Sequence, residues 1–200
     1  MIIKTIKELE KIFDELNKHF FNNKLEKPVI LVQSKKKNIL GTFSCNKVWE
    51  NKKNKKDQKY EITLSAENLN RNTKGIISTL LHEMIHLYCE TNNIKDTSNN
   101  GVYHNKRFKH ESEARGLIIT YDKTIGWSIT KLKPETEKLI IKFKINDKAF
   151  DYYRKCFQGI KINKTKYHKY GCPECNLKLS CYKLVNLICG DCKKPLELRN

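Results

Sequence analysis

Apolar residues recur at three- and four-residue intervals at Ile6, Leu9, Phe13, Leu16 and Phe20, with lysines and glutamates between them. That period puts them on one face of an amphipathic helix over residues 5–21. Asn22-Asn23-Lys24 breaks it. The runs then shorten. Pro28 opens a strand at Val29-Ile30-Leu31-Val32, Lys35-Lys36-Lys37-Asn38 reads as a turn, and a second strand covers residues 39–44. A basic loop at 52–59 precedes a third strand at 60–64. Short polar connections between these strands predict a small, mostly antiparallel sheet. Helical spacing returns over about 74–92, with Ser65 or Thr73 as candidate caps. Asn92-Asn93 and Asn99-Asn100-Gly101 bound an irregular loop, and a further helix is expected from about 103 to 118. Residues 120–165 read as a connector packed on the core, in which Pro134 opens a helix or an ordered loop and 149–157 is mixed. Residues 177–179 and 187–188 are strand-like. The expected class is α+β, a small sheet packed on helices and followed by a small β module.

A chain of 200 residues suits one medium domain, taken here as 1–165, plus an appendage at 166–200. Apolar content of 38% is enough for a core. No stretch approaches the roughly 20 apolar residues of a membrane span. Charges interrupt the first ten residues, so they do not form a secretory signal. Four of the eight cysteines pair off as Cys172-Pro173-Glu174-Cys175 and Cys189-Gly190-Asp191-Cys192, thirteen residues apart. Each Cys-x-x-Cys aims two thiolates at one point, and four thiolates complete a tetrahedron around Zn²⁺. The appendage therefore reads as a zinc ribbon, whose closed site stabilises folding and catalyses nothing. So small a module has too little core to stand without its ion. Cys181 lies between the knuckles, but its spacing argues against ligation. Cys45, Cys89 and Cys156 are also scattered. These four read as buried thiols or bystanders in a reducing, cytoplasmic setting.

The candidate chemistry sits in the helical run of residues 75–88, at His82-Glu83-Met84-Ile85-His86. Residues four apart on a helix share a face, so two imidazoles can grip one Zn²⁺ while the intervening glutamate projects beside it. Such a glutamate can take a proton from water, which specifies metal-assisted hydrolysis. The apolar flanks Ile76, Ile77, Leu80, Leu81, Ile85 and Leu87 predict a buried helix, where a histidine pair needs partners. A hydrolytic zinc takes three protein ligands and keeps one position open. Spacing alone leaves His104, His110, Glu111 and Glu113 as alternatives for the third.

Residues 62–65 (Ile-Thr-Leu-Ser), 79–86 and His104-Asn105-Lys106-Arg107-Phe108-Lys109 together resemble the SprT-like (Spartan-type) metallopeptidase domain over about residues 5–120, and the ribbon is similar too. The resemblance implies that His82, His86 and His104 bind catalytic zinc and that Glu83 is the general base. It leaves His110 and Glu113 to supporting or surface roles. Tyr103, His110, Arg115 and Tyr121 stay open as donors to an oxyanion. The resemblance also implies cleavage of proteins crosslinked to DNA, with DNA as activator.

The formal charge of +18 favours polyanionic partners. Richness in Lys, Asn and Ile is also what an AT-rich genome produces. Basic runs at 35–37 and 52–59 lie near Phe43, Trp49 and Tyr60 in sequence, and the ribbon adds Tyr167, His168, Lys169, Tyr170 and Lys183. Cationic grooves with aromatic platforms suit single strands. Three readings follow: a zinc-dependent protease acting near DNA, a non-enzymatic DNA-binding zinc protein, and a general cytosolic peptidase without DNA dependence.

Overall fold

The computed structural model describes residues 2–36, 38–155 and 167–199. The chain divides into two compact units, Met1–Cys156 and Phe157–Asn200. Lys37, Cys156 and the 156–166 part of the expected connector lie outside the described residues.

The first unit opens with α1, Ile2–Phe21, which buries Leu9, Ile12, Phe13, Leu16 and Phe21. Asn17 turns inward as well, its side chain bonded to both backbone groups of Leu25 at 3.0 and 3.2 Å. Asn22 and Asn23 take left-handed backbone (φ 53 and 57), which stops the helix. The chain continues into β1 (Val29–Gln33), β2 (Gly41–Phe43), the two-stranded ribbon β3 (Trp49–Glu50) and β4 (Gln58–Lys59), and β5 (Glu61–Ser65). The basic loop is thus the tip of a hairpin. The main sheet runs β1-β5-β2, with β5 parallel to β1 and antiparallel to β2. Central β5 buries Ile62, Thr63, Leu64 and Ser65, as a strand covered on both faces must.

Helix α2, Thr73–Thr91, crosses the middle of this unit. Ile76, Ile77, Leu80, Leu81, Met84, Ile85, Leu87 and Cys89 are all fully buried, so the helix is enclosed nearly all round. Its cap is neither Ser65 nor Thr73. The Asn72 side chain accepts from Gly75 N–H at 2.8 Å, the geometry in which asparagine satisfies an orphan donor. Strands β6 (Thr97–Ser98) and β7 (Tyr103–His104) follow, then α3 (Lys106–Ala114), β8 (Leu117–Asp122), β9 (Gly126–Leu132) and α4 (Pro134–Ile141).

Two expectations are corrected here. The segment after residue 103 is not one helix to 118: His104 lies in a strand, and Gly116, at φ +83, turns the chain into β8. A side chain at 116 would also collide with Thr136 and Phe20. Residues 117–132 are not a connector but a long hairpin in the sheet β6-β7-β9-β8. Alternating Leu117, Ile119 and Leu132 turn its inner face into the core.

The second unit contains β10 (His168–Gly171), β11 (Lys178–Cys181) and β12 (Glu197–Arg199), antiparallel in the order β11-β10-β12. The α+β class therefore holds. Most strand pairs among the described residues are antiparallel, the exceptions being β1 on β5 and β7 on β9. No described helix is long and apolar enough to cross a membrane.

Candidate metal centres

His82 and His86 occupy successive turns of α2, and β7 carries His104 to them. The three Nε2 atoms are 3.1–3.2 Å apart. A tetrahedral zinc with bonds of about 2.0–2.1 Å has ligand nitrogens roughly 3.3–3.4 Å apart, so the triangle fits such an ion closely. The far side of two rings fixes their proton. His86 Nδ1 lies 2.6 Å from Asp96 Oδ2, and His104 Nδ1 lies 3.2 Å from the Ile125 carbonyl. Both partners accept, so Nδ1 donates and Nε2 keeps a lone pair facing the centre. Burial holds His82 well below the usual imidazole range, helped by the neighbouring His86 and His104. His104 falls to about 4, again through burial and then His86. Three converging imidazoles are the donor set zinc takes.

Glu83 is 5% exposed, and no hydrogen bond to its carboxylate is found among the described residues. Burial raises its pKa to about 7. Gly41 of β2 lies against it: a Cβ there would approach Glu83 Oε1 to 2.7 Å and Thr79 Cγ2 to 2.9 Å. A buried carboxyl without a partner is costly unless something polar reaches it. The Glu83 oxygens are not among the described side-chain atoms sealed from solvent without a partner, so water can reach them.

Phe108, fully buried on α3, sits against all three rings, its centroid 4.7, 4.6 and 4.7 Å from those of His82, His86 and His104. Asn105 sets this up. Its side chain caps α3 at Arg107 and Phe108 N–H, and its backbone and amide bond the carbonyls of Asp96 and Lys95.

The other third-ligand candidates are elsewhere. Glu111 pairs with Arg115 and His110, while Glu113 lies 3.7 Å from Lys109. His110 lines a surface cavity of about 440 Å³ with Asn93, Ile94, Lys106, Arg107 and Glu111, none of them from the triad. Arg115 is committed to Glu111 and lies over the Tyr88 ring at 3.6 Å. Tyr103 and Tyr121 place their hydroxyls 3.3 Å apart. Sequence reasoning missed Asp96 and Gly41. Asp96 stood in a loop without pattern, and Gly41 looked like any strand glycine.

In the second unit Cys172, Cys175, Cys189 and Cys192 bring their sulfurs within 4.8 Å of one another, without Cys181. Cys175 and Cys189 are 3.7 Å apart, near the roughly 3.8 Å edge of a tetrahedron with zinc–sulfur bonds of about 2.3 Å. The two knuckles repeat one design. Asn176 N–H returns to the Cys172 carbonyl at 3.1 Å and Lys193 N–H to the Cys189 carbonyl at 2.9 Å. Both residues are left-handed, at φ 59 and 57. The Cys175 and Glu174 backbone N–H groups lower the Cys172 thiol to about 7, the former more strongly. Sharing a proton with Cys175 pushes Cys192 up to about 12.

In the first unit His82 and His86 on an enclosed helix and His104 from a neighbouring strand could hold a metal ion, and in the second unit the four cysteines could hold another. A model of the SprT-like family matches residues 9–119, and the chain belongs to that family. Membership implies a zinc metalloprotease. No curated protein matches the chain.

Proposed function

We propose that the protein is a zinc-dependent protease in which His82, His86 and His104 hold the catalytic ion and Glu83 is the general base. We assign this activity to the first unit and a structural zinc on Cys172, Cys175, Cys189 and Cys192 to the second. The observation that carries the reading is the triangle of lone pairs 3.1–3.2 Å on a side, with a buried, partnerless carboxyl on the same helix. When bound, such an ion acidifies water and polarises a scissile carbonyl. Glu83 takes the proton of the attacking water and hands it to the leaving amine nitrogen. Asp96 and the Ile125 carbonyl hold His86 and His104 in the tautomer that presents Nε2. Family membership supports peptide hydrolysis as the reaction.

We further propose that the substrates are proteins associated with or crosslinked to DNA. The +18 charge supports this, as does the lysine-rich β3–β4 tip beside half-exposed Trp49, with Lys47 over the Tyr60 ring. Seven described cysteines outside any disulfide suit a cytoplasmic protein.

Metal analysis should find about two zinc ions per chain. Glu83→Gln should keep both and lower cleavage of a protein substrate by about 10²–10⁴-fold. Cleavage that survives this change would remove Glu83 from the role. Single-stranded DNA should accelerate wild-type cleavage, less so as salt rises. Equal rates with and without it would leave a general peptidase.

A further inference from the structure

Beyond the metal ligands and the base, we propose that Phe108 is a positioning residue that closes one face of the histidine triad, leaving a bound divalent ion a single open position on the opposite face. This rests on the reading of His82, His86 and His104 as a metal site.

The geometry is direct. The three imidazole centroids are 4.9, 5.0 and 5.0 Å apart, and the Phe108 centroid stands 4.6–4.7 Å from each. The four rings form a nearly regular tetrahedron, with Phe108 on the axis of the triad. Nitrogens 3.1–3.2 Å apart lie on a circle whose radius, about 1.8 Å, is shorter than a zinc–nitrogen bond of about 2.0–2.1 Å. An ion bonded to all three therefore stands off their plane, to one side or the other. On one side the benzyl ring fills the place of a fourth ligand, and water cannot enter there. The ion is left to the other side, with one coordination position.

The ring has few other places to go. It stacks on His86 at an interplanar angle of 25° and meets His82 and His104 at 53° and 68°. It is fully buried, and Asn105 fixes the start of its helix. An aliphatic side chain of similar volume would fill the core but would not cover three rings at once. Phe108 thus has a task that general core packing does not require.

Cobalt(II) exchanged into the triad, with zinc kept in the four-cysteine site, tests this. Thiolate-to-cobalt charge transfer in the near ultraviolet reveals any cobalt in the wrong site. The wild-type chain should show the intense visible band of four-coordinate cobalt; a weak six-coordinate band overturns the proposal without any variant. Phe108→Leu should bind zinc about 10–100-fold more weakly, the range for groups that orient metal ligands. Its cobalt band should fall severalfold as a second water enters. Leu9→Ala, a fully buried α1 residue, should lose thermal stability with neither change. A folded Phe108→Leu chain with wild-type affinity and spectrum also overturns the proposal. Failure of the wild-type triad to take up cobalt or zinc would instead remove the metal reading itself.

Discussion

At Gly41 the absence of a side chain has a definite use. A methyl group there would stand 2.7 Å from Glu83 Oε1 and 2.9 Å from Thr79, and both belong to the enclosed helix α2, which cannot retreat. The carboxyl must therefore move. Gly41→Ala should keep its full complement of zinc yet lose roughly 10²-fold in kcat, since a displacement near 1 Å at a catalytic group costs about that much. Unchanged turnover with unchanged metal content would detach Gly41 from the chemistry. The carboxyl also sets a pH limit. Burial raises Glu83 to about 7, so its basic form disappears as pH falls through that value. In the zinc-loaded chain the nearby dication favours the carboxylate, so kcat/KM should decline on an acid limb lying below pH 7, approaching tenfold per unit. A Glu83→Gln chain should retain no such limb in its residual rate. Of this site, His82 and His86 were legible as a pair because a helix period brings 82 and 86 to one face. The supports were not. Asp96 acts across ten residues through a loop fold, and no local pattern announces that contact.

Elements were readable where one period dominated the sequence. α1, α2 and β5 stand within a few residues of expectation because their apolar spacing is clean. The error lay between 103 and 132. Phe108, Ala114 and Leu117 share a helical spacing, but Gly116 adopts φ +83, and the chain leaves the helix before the pattern ends. Long-range pairing then turns 117–132 into a hairpin, which no local window reveals. That hairpin reaches the histidine triad at Gly126. Its left-handed backbone, φ +73, lies directly against the His104 carbonyl, with no room for a Cβ. Gly126→Ala should destabilise the first unit by more than about 1 kcal/mol in chemical denaturation. It should weaken zinc binding as well, because β7 pairs with β9 at His104 and Gly126 and must shift with it. Loss of stability with undiminished zinc affinity would separate strand packing from ligand placement.

For the whole molecule, acid should act through the buried imidazoles. His82 is held well below 6.5 and His104 at about 4 in the folded chain, while the unfolded chain titrates near the ordinary 6.5. Between those values the unfolded state binds protons that the folded state refuses, so stability is full above about 6.5 and is lost as pH falls toward 4. Urea melts of the metal-free chain over pH 4–8 should show that slope, and His104→Gln should flatten it; the same slope in both would assign acid sensitivity to other groups. The overall charge, the His82–His86 pair and the four-cysteine spacing were visible in composition and spacing alone, since none depends on tertiary detail, whereas His104 came from the family resemblance. How the chain turns its corners was less visible. It has only 8 glycines, and among the described residues six of the eight left-handed positions outside glycine are asparagines: Asn22, Asn23, Asn93, Asn99, Asn100 and Asn176. Asparagine visits that region at modest cost, whereas glycine leaves the denatured ensemble with more freedom to surrender. The bends that end α1 and α2 and shape the first cysteine knuckle are therefore made by residues that keep the random coil stiffer, and collapse into the native shape forfeits less entropy at each corner.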